Sequence, residues 1–109
     1  MRAKTLRQVC ETLEVSRRAV QGYEKAGLVI ASGRNERGWL LYDEDSQEQI
    51  RRVRFYQRLG MELKEIKMFL NSSKECQRQL LCERQERIRN EIQERQELLV
   101  QIVKILDEL

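Results

Sequence analysis

Proline and histidine are both missing from this chain of 109 residues, and only five glycines interrupt it. Without proline and with so few turn-formers, a loop-rich or strand-rich fold is excluded in favour of a helical one. The missing histidine removes the commonest general base and metal ligand. No glycine loop is spaced to cradle a phosphate, and no carboxylates cluster away from ordinary helix surfaces and caps, so neither a catalytic residue nor a cofactor is expected. Aromatic residues are 6% of the chain, which limits the core to a small one. No apolar run approaches the roughly 20 residues that span a bilayer, and nothing at the N-terminus resembles a secretory leader. The three cysteines, Cys10, Cys76 and Cys82, are an odd number at no disulfide-framework spacing. A cytoplasmic protein with reduced thiols, away from any membrane, is the expectation.

What the chain does contain is charge, at 36% of its residues for a net of +3. The distribution says more than the sum. Residues 1–60 carry 12 Lys and Arg against 8 Asp and Glu, a net of +4, whereas residues 61–109 carry 9 against 10, a net of −1. A basic half beside a near-neutral one suits a nucleic-acid binder with a separate assembly element.

The stretch with the clearest local signals is Glu14 to Leu28, EVSRRAVQGYEKAGL. Before it, TLRQVCETL opens with Thr5 and Gln8 at capping-box spacing, and Leu6, Val9, Cys10 and Leu13 form one apolar stripe. Cys10 lies on that stripe and reads as a small core residue. Ser16 is a good N-cap for a second helix, and Gly27 with Leu28 is a C-terminal stop with its hydrophobic closure. Two helices joined this tightly are a helix-turn-helix, or else a plain solvated hairpin. In the first case, Arg17 and Arg18 on the second helix's opening turn reach base edges or phosphates in a major groove. Leu28–Ala31 and Trp39–Tyr42 read as two short strands around a basic tip, Ser32 to Gly38, which holds Arg34 and Arg37. Such a wing carries cations to a neighbouring groove. Tyr42 reads as core, and Trp39 either packs on a sugar–phosphate backbone or plugs the domain.

A third helix starts after Asp43 with Ile50, Val53, Phe55 or Tyr56, and Leu59 inward, and Gly60 ends it. A fourth, LKEIKMFL, presents Leu63, Ile66, Lys67 and Leu70. From Glu75 or Cys76 to Glu108 there is no helix breaker. A heptad frame puts Leu81, Ile88, Arg95, Ile102 and Leu109 at d and Gln85, Ile92, Leu99 and Leu106 at a, an apolar seam on a charged helix that requires a partner. A dimeric coiled coil follows, with Leu81, Ile88, Ile92, Leu99, Ile102, Leu106 and Leu109 as its contacts. The expected architecture is therefore mainly α: a winged helix-turn-helix over residues 1–72, with a two-stranded wing and a helix pair, then a dimerisation helix over 73–109.

The order of these parts, with V15-S-R-R-A-V-Q-G-Y23-E-K-A-G-L28, the wing R34-N-E-R-G38-W-L-L-Y42, and R58-L-G-M-E-L-K-E-I-K67, resembles the MerR family of bacterial transcription regulators. The resemblance implies a homodimer joined by an antiparallel coiled coil and bound to a palindromic operator in double-stranded DNA. It also implies distortion of a promoter spacer so that RNA polymerase engages both elements. Position by position, Arg18 stands for the family's recognition-helix arginine, Tyr23 for a phosphate-contacting tyrosine and Arg34 for the first wing arginine. Ser16, Arg17, Gln21, Arg37 and Trp39 complete the expected DNA-binding set. Gln21, Gly22, Trp39 and Leu40 depart from the residues usual there, so the operator sequence does not carry over. No effector domain is expected within the 109 residues. Cys76 and Cys82 lie about 240° apart around a helix, so no metal site is expected. Two other classes remain: an architectural or excisionase-like winged-helix protein that bends DNA, against which the long last helix speaks, and an interaction adaptor whose coiled coil is the active part.

Overall fold

The computed structural model describes residues 3–109, so the first two positions of the expected 1–72 domain lie outside the described residues. The elements in order are β1 (Lys4–Thr5), α1 (Leu6–Leu13), α2 (Arg17–Lys25), β2 (Gly33–Arg34), β3 (Leu40–Tyr42), α3 (Glu44–Arg58), α4 (Leu63–Leu70) and α5 (Lys74–Glu108). The chain divides into two compact units after Asn71.

In the first unit, Thr5 caps α1 in a complete capping box with Gln8. Glu14 then turns the chain in the left-handed region, φ 52°. Two residues later the Ser16 side chain accepts from Ala19 N at 3.0 Å and starts α2. The helix ends at Lys25 with Ala26 as its cap, and the chain turns away at Gly27, whose φ of +78° a side chain would strain. Leu28 N then donates to Tyr23 O at 2.9 Å while the Leu28 side chain is buried, so the stop and its closure stand as expected.

The sheet differs from the expected two-stranded wing. It has three antiparallel strands in the order β1-β3-β2. Lys4 pairs with Tyr42 and Thr5 with Leu41, while Gly33 pairs with Leu41 and Arg34 with Leu40. The run Leu28–Ala31 is not a strand; the pairing falls at Gly33–Arg34, inside the stretch read as the polar turn. The cause is competition for the core. Leu28 and Val29 are buried as the closure of α2, which leaves Ile30 exposed and the chain free to join β3 only from Ser32 onward. Ser32 N there donates to Leu41 O at 2.8 Å.

Asp43 caps α3 by accepting from Ser46 N at 2.9 Å. Ile50, Val53 and Gln47 are fully buried, and Phe55 is exposed. Tyr56 takes the inward place instead, with its ring 5.0 Å from that of Phe69 on α4. On α4 the buried residues are Ile66 and Phe69, whereas Lys67 is exposed, contrary to the inner face read from the sequence. An ammonium inside so small a core would lose its hydration without a partner, and the aromatic Phe69 fills that role. The core of the unit is thus Val9, Val20, Tyr23, Tyr42, Ile50, Val53, Ile66 and Phe69 with their neighbours.

The second unit is α5, 35 residues capped by Ser73, whose side chain accepts from Cys76 N at 3.2 Å. At 1.5 Å per residue such a helix is about 50 Å long. Not one of its side chains is buried. Leu81, Ile88, Ile92, Leu99, Ile102, Leu106 and Leu109 are all exposed, and Leu98, Val100, Val103 and Ile105 are exposed beside them. No described helix is long and apolar enough to cross a membrane.

Candidate nucleic-acid interface

The surface built by α1, α2 and the wing is set by hydrogen bonds that leave its cations outward. Because Ser16 satisfies the amide of Ala19, α2 opens with Arg17 and Arg18 on its first turn, both exposed. Gln21, one turn on, is exposed as well. The serine hydroxyl, expected among the DNA contacts, is occupied as this cap.

The wing is held by a local network. Asn35 Oδ1 accepts from Arg37 N and from Trp39 N, each at 3.0 Å, and Gly38 N donates to Asn35 O at 2.9 Å. This closes the tip over Gly38, which sits at φ +81°. Arg34 Nη1 donates to Gly38 O at 2.6 Å, so its guanidinium is fixed along the turn. The Arg37 guanidinium lies 5.4 Å from the centre of the Trp39 ring, a cation–π distance. Trp39 is 55% exposed, which removes the reading in which it plugs the core.

Recognition helix and wing meet in one cleft of 560 Å³, lined among others by Arg17, Arg34 and Trp39, and also by Arg7 of α1. Arg7 had no place in the sequence-derived set. Its neighbourhood depends on β1, whose two residues alternate too briefly to register as a strand.

Tyr23 is relocated. Its side chain is 1% exposed and its hydroxyl donates to Gln57 Oε1 of α3 at 2.6 Å, so it faces the core. Burial raises its pKa, partly offset by the Arg54 guanidinium. Tyr42, read as core, is fully buried, and its hydroxyl donates to Glu24 Oε1 of α2. Burial first, then the hydrogen bond to Glu24 and that carboxylate's charge, raise its pKa far above the usual phenol value. The two phenols tie α2 to both neighbours: Tyr42 to the wing strand β3, Tyr23 to α3. Neither Glu24 nor Gln57 carried a distinguishing signal in the sequence, since polar residues on helices are ordinarily solvated.

Among the described residues no group of three or more Cys, Asp or Glu side chains is placed to hold a metal ion, and Cys76 and Cys82 are exposed free thiols.

The sequence profile of the MerR HTH family regulatory proteins matches residues 4–73. The chain belongs to the MerR family. Solved structures of MerR proteins share its fold along nearly the whole length. MtaN, the N-terminal part of the Bacillus subtilis multidrug transporter activator, is 25% identical with a TM-score of 0.69 over 94% of this chain and 97% of that one. HiNmlR, a MerR family regulator lacking the sensor domain and bound to promoter DNA, has a TM-score of 0.75 at 22% identity over 96% of this chain and 88% of that one. A MerR family regulator from Bacillus cereus has a TM-score of 0.71 at 23% identity over 98% and 79%. Among curated proteins none matches the sequence. The matched span contains the helix-turn-helix and the wing, so the first unit is a MerR-type DNA-binding domain, the cleft lies within it, and its relatives are transcription regulators.

Proposed function

We propose that this MerR family chain acts as a homodimer that binds a two-fold symmetric operator in double-stranded DNA and distorts it, so that RNA polymerase engages promoter elements that are otherwise out of register. The observation that carries the reading is the convergence of Arg17, at the head of α2, with Arg34 and Trp39 of the wing on one cleft. A helix whose first turn enters a major groove brings such a wing against the adjacent backbone. Arg18 and Gln21 read base edges, where a bidentate arginine–guanine pair discriminates by roughly 1–3 kcal/mol. Arg34 and Arg37 hold phosphates, and Trp39 packs against the sugars between them. Ser16 and Tyr23 position the recognition helix. The exposed seam of α5 supports pairing with a second copy, since an apolar stripe of that length does not remain in water. That HiNmlR was solved on promoter DNA supports a promoter as the target.

Selection of bound sequences from a random duplex pool tests the reading: two inverted half-sites are expected. Arg18→Ala then abolishes binding to the selected operator while the chain stays dimeric in sedimentation. A selected site without inverted symmetry removes the operator geometry, and unchanged affinity of Arg18→Ala at fixed salt removes its role.

A further inference from the structure

We infer that the cleft between α1, the head of α2 and the wing seats one sugar–phosphate segment of a DNA strand, and that Arg7 is a phosphate-binding residue of that seat. The inference rests on the DNA-binding reading above and adds to it a residue from an element outside the recognition helix and wing. Among the described residues, three guanidiniums from three elements line the cleft, Arg7 of α1, Arg17 of α2 and Arg34 of the wing, and Leu6, Leu40 and Trp39 line it with apolar surface. Their convergence follows from the sheet. Because Thr5 pairs with Leu41, α1 begins at the edge of β3, so its first turn stands beside the wing.

Like charges gathered around an apolar floor repel one another until an anion joins them. In the free protein each of two is engaged by a surface contact: Arg7 Nε lies 3.4 Å from Glu11 Oε1, and Arg34 bonds the Gly38 carbonyl. Arg7 and Glu11 are both largely exposed, so their pairing is weak and readily exchanged. A DNA strand offers what the cleft is shaped for: phosphate oxygens for the guanidiniums and the apolar faces of deoxyriboses for Trp39 and the leucines. Such contacts fix register without reading sequence.

The test uses the full chain, its selected operator and a random duplex, with affinity followed over a fourfold rise in salt. Each phosphate released lowers the slope of log affinity against log salt by about 0.9. Arg7→Ala in both copies of a dimer therefore flattens the slope by about 2, so that the wild type loses about 12-fold more affinity than the variant over the fourfold rise. Arg7→Lys keeps the slope, and the loss in Arg7→Ala is equal on operator and random duplex. The capping box of α1 is made by Thr5 and Gln8, not by Arg7, so the variants retain the helix content of the parent. An unchanged slope in Arg7→Ala overturns the seat while the DNA-binding reading stands. A loss confined to the operator also overturns it, because that places Arg7 on a base. A wild type without salt-dependent binding to either duplex overturns both.

Discussion

Replacing Tyr23 by phenylalanine removes one oxygen from a side chain that is 1% exposed and leaves its ring in place, so no cavity opens. What is lost is the hydrogen bond from the phenol to Gln57 Oε1, 2.6 Å long and part-buried. Gln57 lies on the exposed side of α3, so its amide regains a water partner and the desolvation penalty of an orphaned group does not apply. The net loss is then that of an ordinary neutral hydrogen bond, about 1 kcal/mol. For a unit of this size that lowers the melting temperature by roughly 4–8 °C. The assay is urea unfolding followed by fluorescence of the single tryptophan, Trp39, which sits in the same unit. DNA affinity, measured well below the melting transition, stays close to the parent with an unchanged salt slope. Unaltered stability together with a salt slope flattened by about 2, one phosphate per half-site, would instead place Tyr23 on the DNA backbone.

Gly22→Ala raises stability by about 0.5–1 kcal/mol, since glycine inside a helix is that much worse than alanine and an added Cβ meets only Leu63 Cδ1 at 3.9 Å, an ordinary contact. Lower stability in the urea assay would sink this. The alkaline limit of stability follows from Tyr23 and Tyr42, whose pKa values are both raised on folding. The unfolded chain gives up its phenol protons near pH 10 while the folded one keeps them, so their contribution is complete below about pH 10 and is lost as the pH climbs toward the folded values. Urea stability measured from about pH 8 to about pH 11 therefore falls, and Tyr42→Phe falls less; equal profiles would contradict the assignment.

The helix-turn-helix was legible because its signals are local: a capping box at Thr5 and Gln8, a cap at Ser16 and a left-handed stop at Gly27 each act within four residues. The unbroken length of α5 was legible for the same reason, since no breaker interrupts it. What escaped was decided across the chain. A two-residue strand at Lys4–Thr5 has no period to detect, yet it joins α1 to the wing and so brings Arg7 to the cleft. Leu28 and Val29 have strand-like composition but are drawn into the core by the turn before them. Tyr23 shows the limit of transfer by position. A tyrosine on such a helix can face groove or core, and here its hydroxyl is drawn inward to a glutamine 34 residues away.

In the proposed homodimer, binding and assembly are coupled through α5, and the coupling has a measurable form. Heptads account for the seam, but Leu98, Val100, Val103 and Ile105 extend the exposed apolar surface. At 100° per residue the arc over the last turns is roughly 220° wide, well beyond a two-residue seam. One changed position would leave much of that surface, so the variant that tests the coupling carries Leu99→Asp and Ile102→Asp together. Two unpaired carboxylates in a closing apolar contact oppose association, and sedimentation should give a monomer whose first unit still unfolds at the parent's urea concentration. Such a monomer keeps one recognition helix, one wing and one set of phosphate contacts. Its salt slope should be half the parent's, because counterion release counts phosphates and the second half-site is no longer engaged. Its operator affinity should fall by a factor on the order of 10²–10⁴, the loss expected when a linked second contact becomes a separate one. A monomer that binds with the full slope would mean that one unit covers the whole operator, and the two-fold reading of the site would be lost.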